Sequence, residues 1–375
     1  VISKDRLLTA VLHVEALRIG EQALARKGRE GKEMKKYLLL VMGLTLLLTP
    51  VLLSGCAQPA AELGSAENPV KLMFVPSVDV AVIESGGEAM TDWITEQTGI
   101  HFDVSVPVSY AATIEAMCAA EGDTMAFIPG MGYVLARNQC GVDVALATIR
   151  YGRTGYWSEF IVRRDSGIET LEDLEGKTWA LPYVASTSGY LYPSVLLGME
   201  GITPGDLVEA GGHPEVVLAV LDGTADFGTC FFSPPGDTPE DWTEGDPPEP
   251  GGDFTIEQQD DGTYKVWQGG LRIRDARVAA MATNPLAVED LKILALTETI
   301  PNDTVSFVGD FPSDMRDTIV QALIDYAATE EGQAVLADED FYDITGFGRV
   351  DDSYYDPVRN AINTAGLTDE EILED

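Results

Sequence analysis

The sequence predicts an α/β fold with mainly parallel sheet, on three observations. From Val70 onward, short apolar runs alternate with stretches of helical period. The 375 residues suffice for two domains that each bury a core. Composition is globular, with 45% hydrophobic residues and turn-forming Gly and Pro spread along the chain.

Taken in order, Val70 to Pro76 reads as a strand, and Gly87 to Thr98 as a helix with Met90, Trp93 and Ile94 on one face. His101 to Val108 alternates strongly and reads as a second strand. A helix over Ala111 to Ala120 and strands over Thr124 to Ile128 and Val142 to Arg150 follow. Gly155 to Ser166 is extended and ends in a turn, with Tyr156 and Trp157 read as packing there. Thr178 to Pro182 is a strand, Tyr190 to Met199 and Glu215 to Leu221 are helices, and Ala225 to Phe232 is a strand. Further strands fall at Leu291 to Thr297 and Thr304 to Val308, on either side of a turn at Ile300-Pro301-Asn302-Asp303. Ser313 to Ala328 is a Ser-capped helix with an Ile319, Leu323, Tyr326 face, and an acidic, weakly helical tail closes the chain. No GxGxxG or Walker-type loop follows any strand, so nucleotide binding has no support.

Pro234 to Gly270 breaks the pattern, with six prolines and ten acidic residues against one lysine. Such a composition predicts a solvated insertion without a core. Its acidic residues lack EF-hand spacing, which argues against calcium.

Charge narrows the partners. Residues 56–375 hold 15 basic and 57 acidic residues, a net charge of −42. This surface repels nucleic acid and anionic headgroups, and at long range it repels anionic solutes as well. Screening over about 8 Å confines that last effect to distant charge, so local donors prevail at contact.

The N-terminal segment reads as an export signal. Met34-Lys35-Lys36 and the apolar run Tyr37 to Leu53 end in Leu53-Ser54-Gly55-Cys56, which resembles the bacterial lipoprotein cleavage box. The expectation is a signal peptide over 34–55, acylation of Cys56, a small polar tether over 56–69, and a protein held on the outer or periplasmic face of the cell membrane. An uncleaved membrane helix competes, but an apolar stretch of about 17 residues is at the lower limit for spanning, and Pro50 interrupts it. Residues 1–33 are read as an over-extended reading frame whose start is Met34. Beyond Cys56, the cysteines are Cys118, Cys140 and Cys230. Cys118 and Cys140 flank one helix–strand unit, and spacing alone leaves their pairing open. None has metal-ligand spacing and the chain has three His, so no metal or cofactor is expected.

The stretch with chemical content is Ala185-Ser186-Thr187-Ser188-Gly189-Tyr190, between a strand and a helix. First-turn amides without intrahelical partners, three hydroxyls and a glycine make an anion cup there. An N-cap followed by turn residues is the plain alternative. Ser186 or Ser188 with His213 and Asp303 also contain the residue types of an acyl-transfer triad, although no Gly-x-Ser-x-Gly elbow is present. A ligand-free sensor or structural lobe is a third reading.

Six segments in order carry a resemblance: Ser109-Tyr110-Ala111, Gly155-Tyr156-Trp157-Ser158, Ser186-Thr187-Ser188-Gly189-Tyr190, Gly212-His213, Ile300-Pro301-Asn302-Asp303 and Asp356-Pro357-Val358-Arg359. Together they resemble the phosphate/phosphite/phosphonate-binding proteins of ABC importers, a branch of the type II periplasmic solute-binding fold. The resemblance covers about Val70 to Gly366 without the insertion. It implies two lobes, each a mixed, mostly parallel sheet flanked by helices, joined by two crossover strands. Lobe 1 would be 70–153 plus 305–375, and lobe 2 would be 154–304. It implies a non-enzymatic protein whose partners are a small oxyanion and a membrane permease. Ser186, Thr187 and Ser188 would hold phosphoryl oxygens, with His213 beside them, Tyr110 from the opposite lobe, and Asp303 facing a ligand amine or a protonated oxygen. The sequence departs from the family pattern at Thr124 to Gly130, and at Ser233, where a second acidic contact is expected.

Overall fold

The computed structural model describes residues 61–260, 262–338 and 341–373. The segments expected as an over-extended start and a signal peptide, and the expected acylation site Cys56, lie outside the described residues. Residues 61–69, expected as free tether, are instead docked: the His101 amide donates to the Gly64 carbonyl at 2.8 Å, and Leu63 packs against the first core.

The chain begins with β1 (Val70–Phe74), α1 (Val80–Thr98), β2 (Phe102–Ser105), α2 (Tyr110–Cys118), β3 (Thr124–Ile128), α3 (Gly130–Cys140) and β4 (Asp143–Arg150). It crosses into β5 (Gly155–Arg163), β6 (Trp179–Leu181), α4 (Tyr192–Glu200), β7 (Leu207–Glu209), α5 (His213–Leu221) and β8 (Phe227–Phe232). Next come β9 (Phe254–Gln258), β10 (Tyr264–Gln268), β11 (Leu271–Ile273), α6 (Ala276–Ala279), α7 (Ala287–Asp290), β12 (Leu291–Leu296) and β13 (Ile300–Pro301). The return runs through β14 (Thr304–Phe307), α8 (Ser313–Ala327), α9 (Glu330–Leu336), β15 (Ile344–Arg349), α10 (Asp356–Ala365) and α11 (Asp369–Leu373).

Two lobes result. One is built on the sheet β15-β4-β14-β3-β1-β2, the other on β12-β5-β8-β6-β7, with β13 beside β5. Both sheets are mixed. β1 pairs in parallel with β2 and β3, and β6 with β7 and β8. The ladders made by β4, β14, β5 and β12 are antiparallel, because these strands run into or out of the crossovers. Parallel pairing is therefore less dominant than the periodicity predicts. The first sheet buries Phe74, Phe127, Ile319, Leu323 and Tyr326. The second is covered on both faces, by Ile161, Val216 and Val220 on one and Phe160, Leu174 and Leu197 on the other. Such two-sided burial explains its nearly continuous apolar strands.

Two helices differ from the sequence expectation. Helix α1 starts at Val80, with the Asp79 carboxylate accepting from the Ala81 and Val82 amides. Gly87 does not break it: a Cβ there would lie 2.9 Å from Phe74 and Val104, so the glycine serves close packing. Helix α3 has no counterpart among the expected elements: seven of its residues, Gly130 to Ala136, are all buried, so no polar face marks a period. Its end carries Cys140, disulfide-bonded to Cys118 at the end of α2, while Cys230 is a buried free thiol.

The largest correction concerns Pro234 to Gly270, which is not a solvated insertion. It supplies most of a three-stranded antiparallel sheet, β11-β10-β9, and packs onto the second lobe. Trp242 is buried edge-on to Trp157 and Phe232, with ring centroids 4.9 and 5.7 Å away. Glu249 bonds the buried Arg277 at 2.7 Å, and Arg153 donates to the Pro239 and Trp242 carbonyls at 2.6 Å. Averaged composition hid two short alternating strands and one aromatic anchor.

Candidate functional site

The crossovers are tied side by side. The Asn302 amide, fully buried, donates to the Thr148 and Arg153 carbonyls at 3.0 and 2.9 Å, and the Tyr355 hydroxyl donates to the Asn302 carbonyl at 2.7 Å. Between the lobes lies a cleft of about 370 Å³. The lobes touch across it. The Thr187 hydroxyl oxygen accepts from the Met131 amide at 2.9 Å, the His213 amide reaches the Ser77 carbonyl at 3.4 Å, and Tyr110 stacks on Tyr183 at 5.0 Å.

Of the residues singled out from sequence, Tyr110, Ser188, His213 and Asp303 line this cleft, while Ser186 and Thr187 do not. Tyr110 opens α2, whose first turn is capped by Ser109. Burial pushes the Tyr110 hydroxyl well above its ordinary pKa, with Tyr342 and Asp303 adding to the effect, so it is a protonated donor. The Ser186 hydroxyl oxygen accepts from the Gly189 amide at 3.0 Å, as an N-cap does. Residues Thr187–Leu191 form one wide π-type turn before α4, in which the Tyr190 and Leu191 amides both donate to the Ser186 carbonyl. The turn is clamped from below: Ser158 donates to the Ser188 carbonyl and Thr229 to the Gly189 carbonyl, each at 2.5 Å.

His213 begins α5 after Gly212, its ring edge-on to Phe231. Burial, helped by the nearby Arg150 charge, lowers its pKa to about 3, so the imidazole is neutral at physiological pH. Its Nδ1 is buried without a hydrogen-bond partner.

The sequence reading missed Arg150, the one cation lining the cleft among the described residues. It ends β4, where that strand enters the first crossover. Its Nη2 meets the Asp303 carboxylate at 2.7 Å, and its guanidinium lies 6.0 and 5.7 Å from the Tyr156 and Tyr342 ring centroids. Burial opposes its charge, but Asp303 and Asp343 outweigh that opposition, and its Nε remains buried and unpartnered. The available signal was positional: ligands in open α/β sheets gather at the carboxyl ends of strands. Tyr156 also lines the cleft, whereas Trp157 packs away from it on Trp242. From Thr124 to Gly130 only Pro129 reaches the cleft, and Ser233 does not. Among the described residues no hydrogen bond joins Ser188, His213 and Asp303. Asp303 is engaged by Arg150, so His213 lacks the carboxylate that would orient a catalytic base.

The family of phosphonate-binding periplasmic substrate-binding proteins of ABC transporters matches residues 72–355. The chain belongs to that family. It is similar to the phosphate-import protein PhnD of Mycolicibacterium smegmatis, with 28% identity over 176 residues, 43% of this chain and 54% of that protein. The chain thus spans about half the length of that curated relative. Its fold is similar to a binding component of a phosphonate ABC transporter from Pseudomonas aeruginosa, at TM-score 0.61 and 19% identity over 80% of this chain and 87% of the other. It is also similar to PhnD1 of Prochlorococcus marinus, crystallised with methylphosphonate, at TM-score 0.59 and 14% identity over 79% and 98%. These likenesses establish the two-lobed type II periplasmic binding fold.

Proposed function

We propose that this chain is the extracytoplasmic solute-binding component of an ABC importer. It captures a phosphonate-, phosphite- or phosphate-type oxyanion between its lobes and delivers it to a membrane permease. The observation that carries this reading is the pair of unsatisfied nitrogens, Arg150 Nε and His213 Nδ1, buried at one cleft. Each unpaired buried polar group costs about 1–3 kcal/mol, which a bound oxyanion would offset. Ser188 and Tyr110 add hydroxyl donors from opposite lobes, and Ser186 and Thr187 hold the turn and the lobe contact behind them. Asp303 keeps Arg150 oriented. The relatives named for phosphate import and crystallised with methylphosphonate support the ligand class.

Binding calorimetry with inorganic phosphate and methylphosphonate tests the site. Arg150→Gln should weaken binding by about 1.5–3 kcal/mol, the loss of a charged hydrogen bond. Equal affinity in a variant with an unchanged melting transition would remove Arg150 from the site. The Cys118–Cys140 disulfide fits an oxidising compartment. Anchoring is assigned to acyl chains on Cys56, so Cys56→Ser should move the protein from the membrane to the soluble fraction; retention on the membrane would refute the anchor.

A further inference from the structure

The cleft does not end at the oxyanion site. A second cavity of about 310 Å³ adjoins it, and the two share Phe231, Thr263, Ala279, Ala282 and Asp343 as walls. Thr263 belongs to the segment 234–270, so that segment forms part of both spaces. The lobes already meet through Thr187–Met131, His213–Ser77 and Tyr110–Tyr183, so these volumes belong to a molecule with its lobes in contact. At about 30 Å³ per water-sized group, the first cleft alone holds roughly a dozen such groups, whereas phosphate or methylphosphonate has about five heavy atoms.

The chemistry of the second cavity restricts what fills it. The Arg274 guanidinium is held by Asp237 at 2.7 Å and lies over the Tyr151 ring at 4.5 Å. Asp275 is engaged by the buried Arg277 at 2.8 Å. Asp338 and Asp343 are engaged within the protein and Lys265 is exposed to solvent, so the lining holds no buried charge set aside for a ligand. Gln259 and Tyr264 are neutral hydrogen-bonding groups in the same wall.

We infer that the ligand is a substituted oxyanion, a phosphonate or phosphomonoester whose substituent is an uncharged, hydroxyl-bearing group reaching into the cavity walled by segment 234–270. This rests on the oxyanion reading above and adds the second subsite. The test is calorimetry on the whole chain with inorganic phosphate, methylphosphonate and glycerol 3-phosphate, in the wild type and in Ala337→Phe. Ala337 is a half-buried residue that lines the second cavity and not the oxyanion cleft, so added bulk there narrows only the second space. The wild type should bind glycerol 3-phosphate at least about tenfold more tightly than methylphosphonate, a difference of about 1.4 kcal/mol. Ala337→Phe should erase that preference and leave methylphosphonate affinity within about twofold. Equal affinities in the wild type, or a preference that survives in Ala337→Phe, overturn the second subsite while the oxyanion site stands. Absence of binding by all three probes overturns both.

Discussion

His213 and Glu159 are both buried ionisable groups, and they pull stability in opposite directions with pH. His213 titrates near 3 in the folded protein against an ordinary 6.5, so between those values the unfolded chain binds more protons. Its contribution is complete above pH 6.5 and is lost as pH falls toward 3, at about 1.4 kcal/mol for each pH unit between them. Burial, then Asp275, raises the Glu159 carboxyl well above its ordinary 4.5, so the folded state holds that proton longer than the unfolded one. Stability therefore falls as pH rises above 4.5. Denaturant unfolding from pH 4 to 8 should show Glu159→Gln gaining on the wild type as pH rises, and His213→Gln with a flatter acid limb. Parallel curves for all three proteins would refute both assignments. At this scale the sequence disclosed the hydroxyl run, His213, Tyr110 and Asp303 through short motifs. It concealed Arg150, which sits in no motif and meets Asp303 in the cleft only because two crossovers bring residue 150 against residue 303. That pairing is the basis for proposing that Asp303, which lines the cleft, also orients the guanidinium.

At the scale of elements, segment 234–270 is where reading by composition and reading by contact diverge. Proline and acid content describe its loops, but its stability is set by Trp242 among Trp157 and Phe232, by Val266 in the second core, and by Glu249 on Arg277. Trp242→Ala should cost about 3–5 kcal/mol, as loss of a buried Trp side chain does. Chemical denaturation measures this directly, and a cost under about 1 kcal/mol would return the segment to a solvated role. The other strands and helices were legible where one face is wet, as in α8. They were not legible where burial is complete, as in α3, or where a helix carries glycine for close packing, as in α1.

For the whole molecule, the puzzle is the proposed anion site in a chain of net charge −38. The cleft itself follows the surface, with Asp79, Glu215, Asp303 and Asp343 around one arginine. Attraction at long range cannot be what fills it. In the proposed function selection acts at contact, where lobe closure would remove water and strengthen each hydrogen bond to a charged oxygen. The ligand then favours the closed arrangement only through contacts made there. Two-lobed architecture was legible from the order of matched segments, while the depth of the cleft was not, since it depends on how the segment after β8 folds back over it. A crystal structure of the protein grown with methylphosphonate is the most direct measurement. Phosphonyl oxygens are expected within about 3 Å of Arg150 Nε and the His213 ring, with Ser188 and Tyr110 alongside. Methylphosphonate bound elsewhere, with Arg150 Nε still unpartnered, would contradict that expectation.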